Sequence, residues 1–555
     1  MISATSWVPR GYASEFPEHY DLNDEEMARI EAMAKLNIDE AQADLEDAEN
    51  PNAEKLRDDI EIDDDLKEYD FEHYDDDEID ENGEEVVMFP GLSNAGATYV
   101  KRNGENEEEG EEHFLELPTK EEEEEEKVEL QVYPTDNLIL ATRTEDEVSY
   151  LDVYVYDDGA GALGADDLEE DNDADVARGM VREGNMYIHH DLMLPAFPLA
   201  VEWLSFKPMG PNDSSNVSNF AAIATFEPTI EIWNLDSIDK AFPDVILGEE
   251  EFASFSKKGK KKSKKSKTSE NCHTDAVVSL AHNKVFRNVL CSTSADTTVK
   301  LWDLTSCKVA RAIDSGLHSN KQVSSSAWMP VSGEEGGSIL LTGGYDGTMK
   351  LTDVRLEDVK SAKTYVCGSG EDIESVAWMG DNKILAGSDN GNVYCYDIRQ
   401  EQKPLWTLHA HDSGISTLSA NNFCSGLVAT GAMGDKHVKL WNVQNDKPSM
   451  VLSKDFGCGN VLASGFSNDL EVAGHFVVGG SSPGLKLWDS FSNKTVSAAF
   501  KEDIRNIQSR AREEAKKNNR TSRIARKYRK DYGESIVQPE VGGAEIDEEA
   551  EDDEE

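Results

Sequence analysis

Short runs in which apolar and polar residues alternate return at regular intervals through the middle of the chain. Seven of them end in Trp-Asp or a near variant of it: LDVYVYD at 151–157, TIEIWN at 229–234, TVKLWD at 298–303, TMKLTD at 348–353, NVYCYD at 392–397, HVKLWN at 437–442 and LKLWD at 485–489. The aromatic residue or its substitute is the next-to-last residue of each run, and the last five intervals between these residues are 69, 50, 44, 45 and 47. Alternation with a period of two, interrupted by Gly, Asn and Asp, predicts four short antiparallel strands in each unit.

This period predicts a closed, all-β ring. WD-repeat propeller blades recur every 40–45 residues or so, and seven four-stranded units that close into a ring leave few sheet edges unpaired. We therefore predict a seven-bladed WD-repeat β-propeller over residues 127–500. The early intervals are longer because the chain carries an acidic insertion at 157–185 and a lysine-rich insertion at 249–270.

Polar residues that recur in register with the repeat predict a structural hydrogen-bond network across each blade. Two units have the full set of His, Ser or Thr, Asp and Trp: His273, Ser292, Asp296 and Trp302, and then His411, Thr430, Asp435 and Trp441. Alone, the first three could be mistaken for a catalytic triad, but a nucleophile would not recur with every blade. We therefore expect no catalytic residue, no metal site, no cofactor and no small-molecule substrate, and we predict that the protein is not an enzyme.

A second series of tryptophans marks a different strand of the unit. VEWLSFKP at 201–208, SSAWMP at 325–330 and SVAWMG at 375–380 place Trp203, Trp328 and Trp378 in the first strand of their units. We expect these side chains to pack between neighbouring blades.

Charge is distributed unevenly along the 555 residues, whose formal net charge is −58. Residues 1–126 hold 44 acidic and 9 basic side chains, and residues 540–555 hold ten acidic side chains and no basic one. Such segments bury too little apolar surface to form a core. We expect an acidic, largely disordered N-terminal arm over 1–126 and an acidic disordered tail over 534–555.

Other compositional signals narrow the class of protein. No run of 18 apolar residues is present and the first residues lack the apolar core of a secretory leader, so we expect no contact with a membrane. Seven scattered cysteines without a CxxC pair favour a reducing compartment over a disulfide framework.

Two short segments of the acidic arm carry apolar residues. Residues 1–20 hold Trp7, Pro9, Tyr12, Phe16 and Tyr20, and we predict that they form a docking peptide whose aromatic side chains insert into a partner. Packing of the same residues on this protein's own propeller is the alternative. Residues 23–36 have an Asn cap and an apolar stripe at helical spacing, which predicts a short amphipathic helix that binds a groove.

Two basic segments contrast with the acidic ones. The run KKGKKKSKKSK at 257–267 predicts a nuclear or nucleolar address, a nucleic-acid contact, or both. Residues 501–533 are rich in Lys and Arg at helical spacing and predict a basic helical arm that leaves the propeller and lies along RNA phosphates. A helix packed on the protein's own acidic regions is the alternative. The predicted RNA-binding residues are Lys257, Lys258, Lys260, Lys261, Lys262, Lys264, Lys265, Arg510, Arg512, Lys516, Lys517, Arg520, Arg523, Arg526, Lys527, Arg529 and Lys530.

The chain resembles the periodic tryptophan protein 1 family, a branch of the WD-repeat proteins. The opening MISATSWVPRG, the series Trp203, Trp328 and Trp378, and the basic segment after the last unit carry the resemblance. It implies a nuclear, nucleolar and non-enzymatic assembly factor of the large ribosomal subunit. Its implied partners are pre-ribosomal RNA, other assembly factors and ribosomal proteins, and its implied role is in pre-rRNA maturation as a scaffold.

A chromatin-associated, histone-binding WD-repeat protein is the alternative function. Acidic segments attract basic histone tails, and many propellers bind peptides. The basic segment after the last unit favours the RNA hypothesis, because a histone binder has no need of it.

Overall fold

The computed structural model describes most of the repeat region and several flanking segments. The described residues are 1–20, 127, 130–146, 148–158, 184–248, 271–313, 316–330, 336–356, 362–368, 370–400, 403–444, 446–517, 522–525 and 536–537. All of them belong to one compact unit. The helix predicted at 23–36, the lysine run at 257–267 and most of the acidic stretches lie outside the described residues.

Seven antiparallel sheets of four strands form the ring, which confirms the predicted seven-bladed propeller. We name the strands of each blade a to d from the centre outwards. Blade 1 consists of Ile2–Val8, Asn137–Glu145, Val148–Asp157 and Asn185–Leu194; blade 2 of Pro198–Leu204, Phe220–Thr225, Ile230–Asn234 and Val245–Leu247. Blade 3 consists of Val277–His282, Val289–Ser294, Val299–Asp303 and Lys308–Ile313; blade 4 of Val323–Trp328, Ile339–Gly344, Thr348–Asp353 and Lys363–Val366. Blade 5 consists of Ile373–Met379, Lys383–Ser388, Asn392–Asp397 and Trp406–His409. Blade 6 consists of Thr417–Ala420, Leu427–Gly431, His437–Asn442 and Ser449–Asp455; blade 7 of Val461–Phe466, His475–Gly480, Lys486–Asp489 and Ile536–Val537.

The core lies between the faces of adjacent blades. Strand a of every blade contacts strand a of both neighbours, so that the seven inner strands surround a central channel. The aromatic residue of strand c is buried in most blades, as Trp233, Trp302, Tyr396 and Trp488 show. Polar members of these alternating strands, such as Glu231 and Lys300, are buried as well, because the two faces of a blade are covered by its neighbours.

The inner strand of blade 1 comes from the start of the chain. Ile2–Val8 pairs antiparallel with Asn137–Glu145, and Trp7 lies opposite Ile139. The prediction that residues 1–126 form an arm outside the propeller is therefore wrong for the first strand. Residues 9–136 are the connection between strands a and b of blade 1, because the strand on each side of them belongs to that sheet.

The outer strand of blade 7 comes from near the end of the chain. Ile536 pairs with Trp488 and Val537 pairs with Leu487. The propeller therefore extends beyond the boundary predicted at residue 500. Residues 536–537 form a strand, although they lie in the tail that was predicted to be disordered from residue 534.

In the described residues, two α-helices lie between strands c and d of blade 7: α1, Lys494–Ala499, and α2, Lys501–Lys517. Asn493 caps α1, because its side chain accepts hydrogen bonds from the backbone N–H groups of Thr495 and Val496. Three apolar residues of α2, Ile504, Ile507 and Ala511, are buried in the core of blades 6 and 7. The described part of the basic segment, 501–517 and 522–525, therefore does not leave the propeller as a free arm. The predicted continuous helix is wrong at residues 522–525, which are not helical.

The connections between strands define two faces of the ring. Alternating strand direction places the a–b and c–d connections on one face, the a–b face, and the b–c and d–a connections on the other, the d–a face. The connections 9–136 and 158–184 join strand a to strand b and strand c to strand d of blade 1, so their described ends lie on the a–b face, as do α1 and α2, which lie between strands c and d of blade 7. The lysine-rich insertion joins strand d of blade 2 to strand a of blade 3, so the described residues on either side of it lie on the d–a face.

In the described part of the chain, no helix is long and apolar enough to cross a membrane.

Candidate functional site

The structure brings together all four predicted network residues of blade 3. The imidazole of His273 contacts Asp296 through Nδ1 at 2.9 Å and Ser292 through Nε2 at 2.7 Å. The indole Nε1–H of Trp302 donates to Ser292 Oγ at 2.8 Å. His273 and Ser292 are buried, so the hydroxyl of Ser292 is enclosed between two neighbours and is not presented to a substrate.

The same arrangement recurs in blade 6 and, without the tryptophan, in blade 4. His411 lies 2.9 Å from both Asp435 and Thr430, and the Trp441 indole donates to Thr430 at 3.0 Å. In blade 4, His318 contacts Asp346 at 3.0 Å and Thr342 at 2.9 Å. Recurrence with closely similar geometry assigns these residues to the architecture of the blade.

Electrostatics within the blade 3 network favour an ionised aspartate beside a neutral histidine. Burial alone favours the neutral form of Asp296, but hydrogen bonds from His273 and Thr298 hold the pKa of this carboxyl well below its usual range. Burial lowers the pKa of His273, although the hydrogen bond with Asp296 opposes that shift. The network therefore keeps one charge state at neutral pH, as a structural clamp requires.

Two tryptophans of the second series join their blades to the preceding blade. The indole of Trp328 donates to the backbone carbonyl of Ala281 at 3.0 Å, and that of Trp378 donates to Ala327 at 3.2 Å. Each acceptor lies in strand a of the preceding blade. Trp203 departs from this pattern, since its indole donates to Asn219 within blade 2 at 3.0 Å.

Trp7 is a further member of this series, which the sequence reasoning missed. Its indole donates to the carbonyl of Gly465 in strand a of blade 7 at 3.2 Å, and its side chain is 7% exposed. Trp7 follows the first residue of its strand by five positions, and Trp328 and Trp378 follow Val323 and Ile373 by the same number. That spacing was the available signal that the first residues form an inner strand.

The other residues predicted to anchor a partner also lie against the propeller. Tyr12 packs edge-on against Trp203 with ring centroids 4.7 Å apart, Pro9 borders the channel mouth, and Tyr20 lies under the ammonium group of Lys240. Only Phe16 among the predicted anchors is half exposed, at 50%. The docking interpretation is corrected for Trp7, Tyr12 and Tyr20, because their contacts are made within this chain.

A buried ion network lies where blade 1 meets blade 7. The guanidinium of Arg10 donates to Asp158 at 2.5 Å and pairs with Asp469 at 2.8 Å. Arg523, from the segment after α2, lies 4.0 Å from the other oxygen of Asp158. Close by, Ser522 and the backbone of Ile524 donate to the carboxylate of Glu471 at 3.1 Å. Residues from both ends of the chain thus meet on the same group of carboxylates.

The structure separates the predicted RNA-binding residues into three groups. Arg510, Arg512, Lys516 and Lys517 are exposed on α2, although Arg512 also donates to the carbonyl of Ala525 at 3.1 Å. Arg523 is 5% exposed, so its predicted contact with RNA is wrong. The remaining predicted residues lie outside the described part of the chain: Lys257, Lys258, Lys260, Lys261, Lys262, Lys264, Lys265, Arg520, Arg526, Lys527, Arg529 and Lys530.

The mouth of the channel on the a–b face holds a cavity of about 1120 Å³. Trp328, Met329 and Met379 give it apolar walls, whereas Glu202 and Lys284 add charge. Burial raises the pKa of Glu202, and the charge of Lys284 opposes this shift.

The ring, its recurring networks and its inter-blade tryptophans define a WD-repeat β-propeller. The family model for the WD domain, G-beta repeat, matches residues 264–303, 360–397 and 402–442.

Comparison with individual proteins narrows this class. The chain is 54% identical to Periodic tryptophan protein 1 of Saccharomyces cerevisiae, over 95% of this chain and 94% of that protein. It is 37% identical to an uncharacterised WD repeat-containing protein of Schizosaccharomyces pombe (91% and 92% covered) and 28% identical to the Periodic tryptophan protein 1 homolog of Drosophila melanogaster (83% and 88% covered). The chain belongs to the periodic tryptophan protein 1 family.

Proposed function

We propose that the protein is a non-enzymatic assembly factor of the large ribosomal subunit, acting in pre-rRNA maturation as a protein- and RNA-binding scaffold. Its site of action would be the nucleus and nucleolus, and its partners would be pre-ribosomal RNA, other assembly factors and ribosomal proteins. The family membership supports this class of role, since the resemblance noted above implies it.

The observation that carries the proposal is the excess of exposed cations on α2, where six exposed basic residues (Lys501, Arg505, Arg510, Arg512, Lys516 and Lys517) accompany three exposed carboxylates (Glu502, Glu513 and Glu514). Arg510, Lys516 and Lys517 are exposed on a helix whose opposite side is fixed in the core of blades 6 and 7. A helix anchored in this way presents its cations without losing the conformational freedom of a flexible arm on binding. Guanidinium and ammonium groups on a rigid surface suit the phosphates of folded RNA.

The large negative charge of the whole chain does not prevent this contact. Charges separated by more than a Debye length, about 8 Å at physiological salt, are largely screened. Local cations on α2 can therefore bind phosphates while acidic residues elsewhere act mainly against nonspecific RNA.

Charge reversal on α2 tests the proposal. We expect Arg510→Glu with Lys516→Glu and Lys517→Glu to weaken binding to pre-ribosomal RNA and to make its salt dependence shallower. The slope of log affinity against log salt should fall by roughly 2 to 3, about one for each phosphate that is no longer neutralised. Filter binding between 50 and 200 mM salt measures both quantities.

A matched control separates this local effect from a change in net charge. Lys207, Lys403 and Lys436 are exposed on blades 2, 5 and 6, and their reversal to Glu changes the total charge equally. We expect this control variant to bind RNA as the wild type does. Equal binding by the α2 variant and the wild type would contradict the RNA contact. Retention of chromatin partners after RNase treatment of an extract would then favour the histone-binding alternative.

A further inference from the structure

Helix α2 presents different residues on its different sides along its whole length. Residues three, four or seven positions apart lie on the same side of an α-helix, because one turn takes 3.6 residues. Ile504, Ile507 and Ala511 form a buried line, which is fixed in the core of blades 6 and 7. The other sides of the helix are therefore placed relative to this line by their numbering.

Cations form two rows, one on each flank of the exposed surface. Neighbouring members of the first row are four or seven positions apart: Lys501, Arg505, Arg512 and Lys516. The second row consists of Arg510 and Lys517, which are seven positions apart. All six side chains are exposed. Each row lies roughly a third of a turn from the buried line, in opposite directions.

A third exposed line, which we call the crest, runs between the two rows and directly opposite the buried line. It consists of Glu502, Asn506, Ser509 and Glu513. A phosphate on the crest would be repelled by the two carboxylates, whereas each flank attracts phosphates. Glu514 lies beyond the second row, on the side of the blades. The charge pattern therefore favours phosphates along both flanks and not along the crest.

Contacts with the propeller fix the rotation of α2 about its axis. Beside the first row, Gln508 Nε2 donates to the carbonyl of Ile524 at 3.0 Å, and Arg512 donates to that of Ala525 as described above. On the other side, Asp503 accepts a hydrogen bond from Gln444 of blade 6 at 2.5 Å. Both rows are thus presented at the same time, with the crest facing outwards.

Double-helical RNA has two lines of phosphates that match the two rows. The minor groove of A-form RNA is wide and shallow, and it displays 2′-hydroxyls between the two backbones. An α-helix with its side chains is about 10–12 Å across, and the long Arg and Lys side chains on its flanks extend towards both backbones. A single strand offers one line of phosphates and would engage one row at a time.

We propose that α2 binds double-helical RNA along its minor groove, with one row of cations on each phosphate backbone. Asn506 and Ser509 on the crest then lie against the 2′-hydroxyls, with which amide and hydroxyl groups exchange hydrogen bonds. Glu502 and Glu513 accept hydrogen bonds from the same hydroxyls. This inference rests on the RNA contact proposed above and names the class of RNA that makes it.

Three nucleic acids of one sequence test the preference. The full-length chain is titrated against an RNA duplex of about 20 base pairs, one of its strands that does not self-pair, and the matching DNA duplex. We expect the RNA duplex to bind at least about tenfold more tightly than either of the others in filter binding at about 100 mM salt. Equal or tighter binding of the single strand would overturn the proposal.

Matched variants of the two rows test whether both backbones are contacted. Arg505→Ala with Lys516→Ala removes two cations of the first row, and Arg510→Ala with Lys517→Ala removes the second row. Each pair should lower the slope of log affinity against log salt by about 2 on the RNA duplex. Exposed lysines of blades 5 and 6 provide the control, and Lys403→Ala with Lys436→Ala should leave the slope unchanged.

The crest variant tests the contact with the 2′-hydroxyls. Asn506→Ala with Ser509→Ala removes no charge, so the salt slope should stay the same. The preference for the RNA duplex over the DNA duplex should fall about fivefold, as for the loss of one or two hydrogen bonds. An equal loss of affinity for both duplexes would overturn this assignment of the crest.

The row variants also separate this inference from the RNA contact on which it rests. If only one row changes the slope on the RNA duplex, α2 contacts RNA but not both backbones, and the groove inference is overturned alone. If neither row changes the binding of duplex or single strand, the RNA contact of α2 is overturned as well.

Discussion

Single buried polar groups fix the relation between strands in each blade. Ser292 accepts a hydrogen bond from Trp302 and contacts His273, so one hydroxyl joins strands b and c to the loop that precedes strand a. In blade 2 the Trp233 indole donates to Glu231 at 3.0 Å instead. In both blades the buried indole N–H therefore has a hydrogen-bond acceptor. A buried indole N–H without an acceptor would destabilise the fold.

Removing the shared hydroxyl should destabilise blade 3 without affecting any chemistry. In Ser292→Ala, both the His273 imidazole and the Trp302 indole lose a buried partner, and we expect a loss of roughly 2–4 kcal/mol of unfolding free energy. Urea unfolding followed by circular dichroism measures this quantity. Thr293→Ala is the control, because this neighbouring hydroxyl has no hydrogen-bond partner among the described residues. A loss as large in the control as in Ser292→Ala would contradict the assignment.

Glu231 should make the stability of the protein depend on pH. Burial raises its pKa from 4.5 to about 7, with the Trp233 hydrogen bond opposing the shift. A carboxyl whose folded-state pKa is raised stabilises the fold below pH 4.5, and this contribution is lost as the pH rises towards and through 7.

The variant Glu231→Gln keeps an acceptor for Trp233 but cannot ionise. We expect its unfolding free energy to approach that of the wild type near pH 4.5 and to exceed it by about 3 kcal/mol at about pH 8. Urea unfolding of both proteins at these two pH values shows which protein has the larger unfolding free energy at each pH. A wild type that is the more stable protein at the higher pH would contradict the assigned burial of this carboxyl.

The elements of the ring differ in how far the sequence predicts them. Strands b and c of most blades carry the repeated apolar pattern and the aromatic at its end, so seven blades could be counted from the chain alone. The strand Ile2–Val8 pairs with residues beyond 136, and no local pattern specifies so distant a partner. Similarly, Arg523 and Arg510 belong to the same basic segment, yet tertiary packing buries the first and exposes the second.

This difference within the basic segment gives a sharp contrast between two variants. Arg523→Glu places a carboxylate beside the buried Asp158, and we expect a loss of about 3–5 kcal/mol of stability. Arg510→Glu changes an exposed residue of α2, and its stability should remain within about 0.5 kcal/mol of the wild type. Thermal melts of the two variants compare them directly. An unchanged melting temperature in Arg523→Glu would contradict the ion network between blades 1 and 7.

On the scale of the whole molecule, the two faces of the ring carry different insertions. The described ends of the acidic connections and the helix α2 lie on the a–b face, whereas the described residues on either side of the lysine-rich insertion lie on the d–a face. The RNA contact proposed for α2 therefore belongs to the a–b face.

Crosslinking of RNA to the protein in living cells, followed by sequencing, tests the proposed contact between α2 and pre-ribosomal RNA. We expect crosslinks concentrated in a few segments of the large-subunit rRNA precursor, and fewer crosslinks when Arg510, Lys516 and Lys517 are reversed to Glu. The variant with Lys207, Lys403 and Lys436 reversed should keep the wild-type pattern. Crosslinks scattered over unrelated RNAs, or a pattern that the α2 variant leaves unchanged, would contradict it.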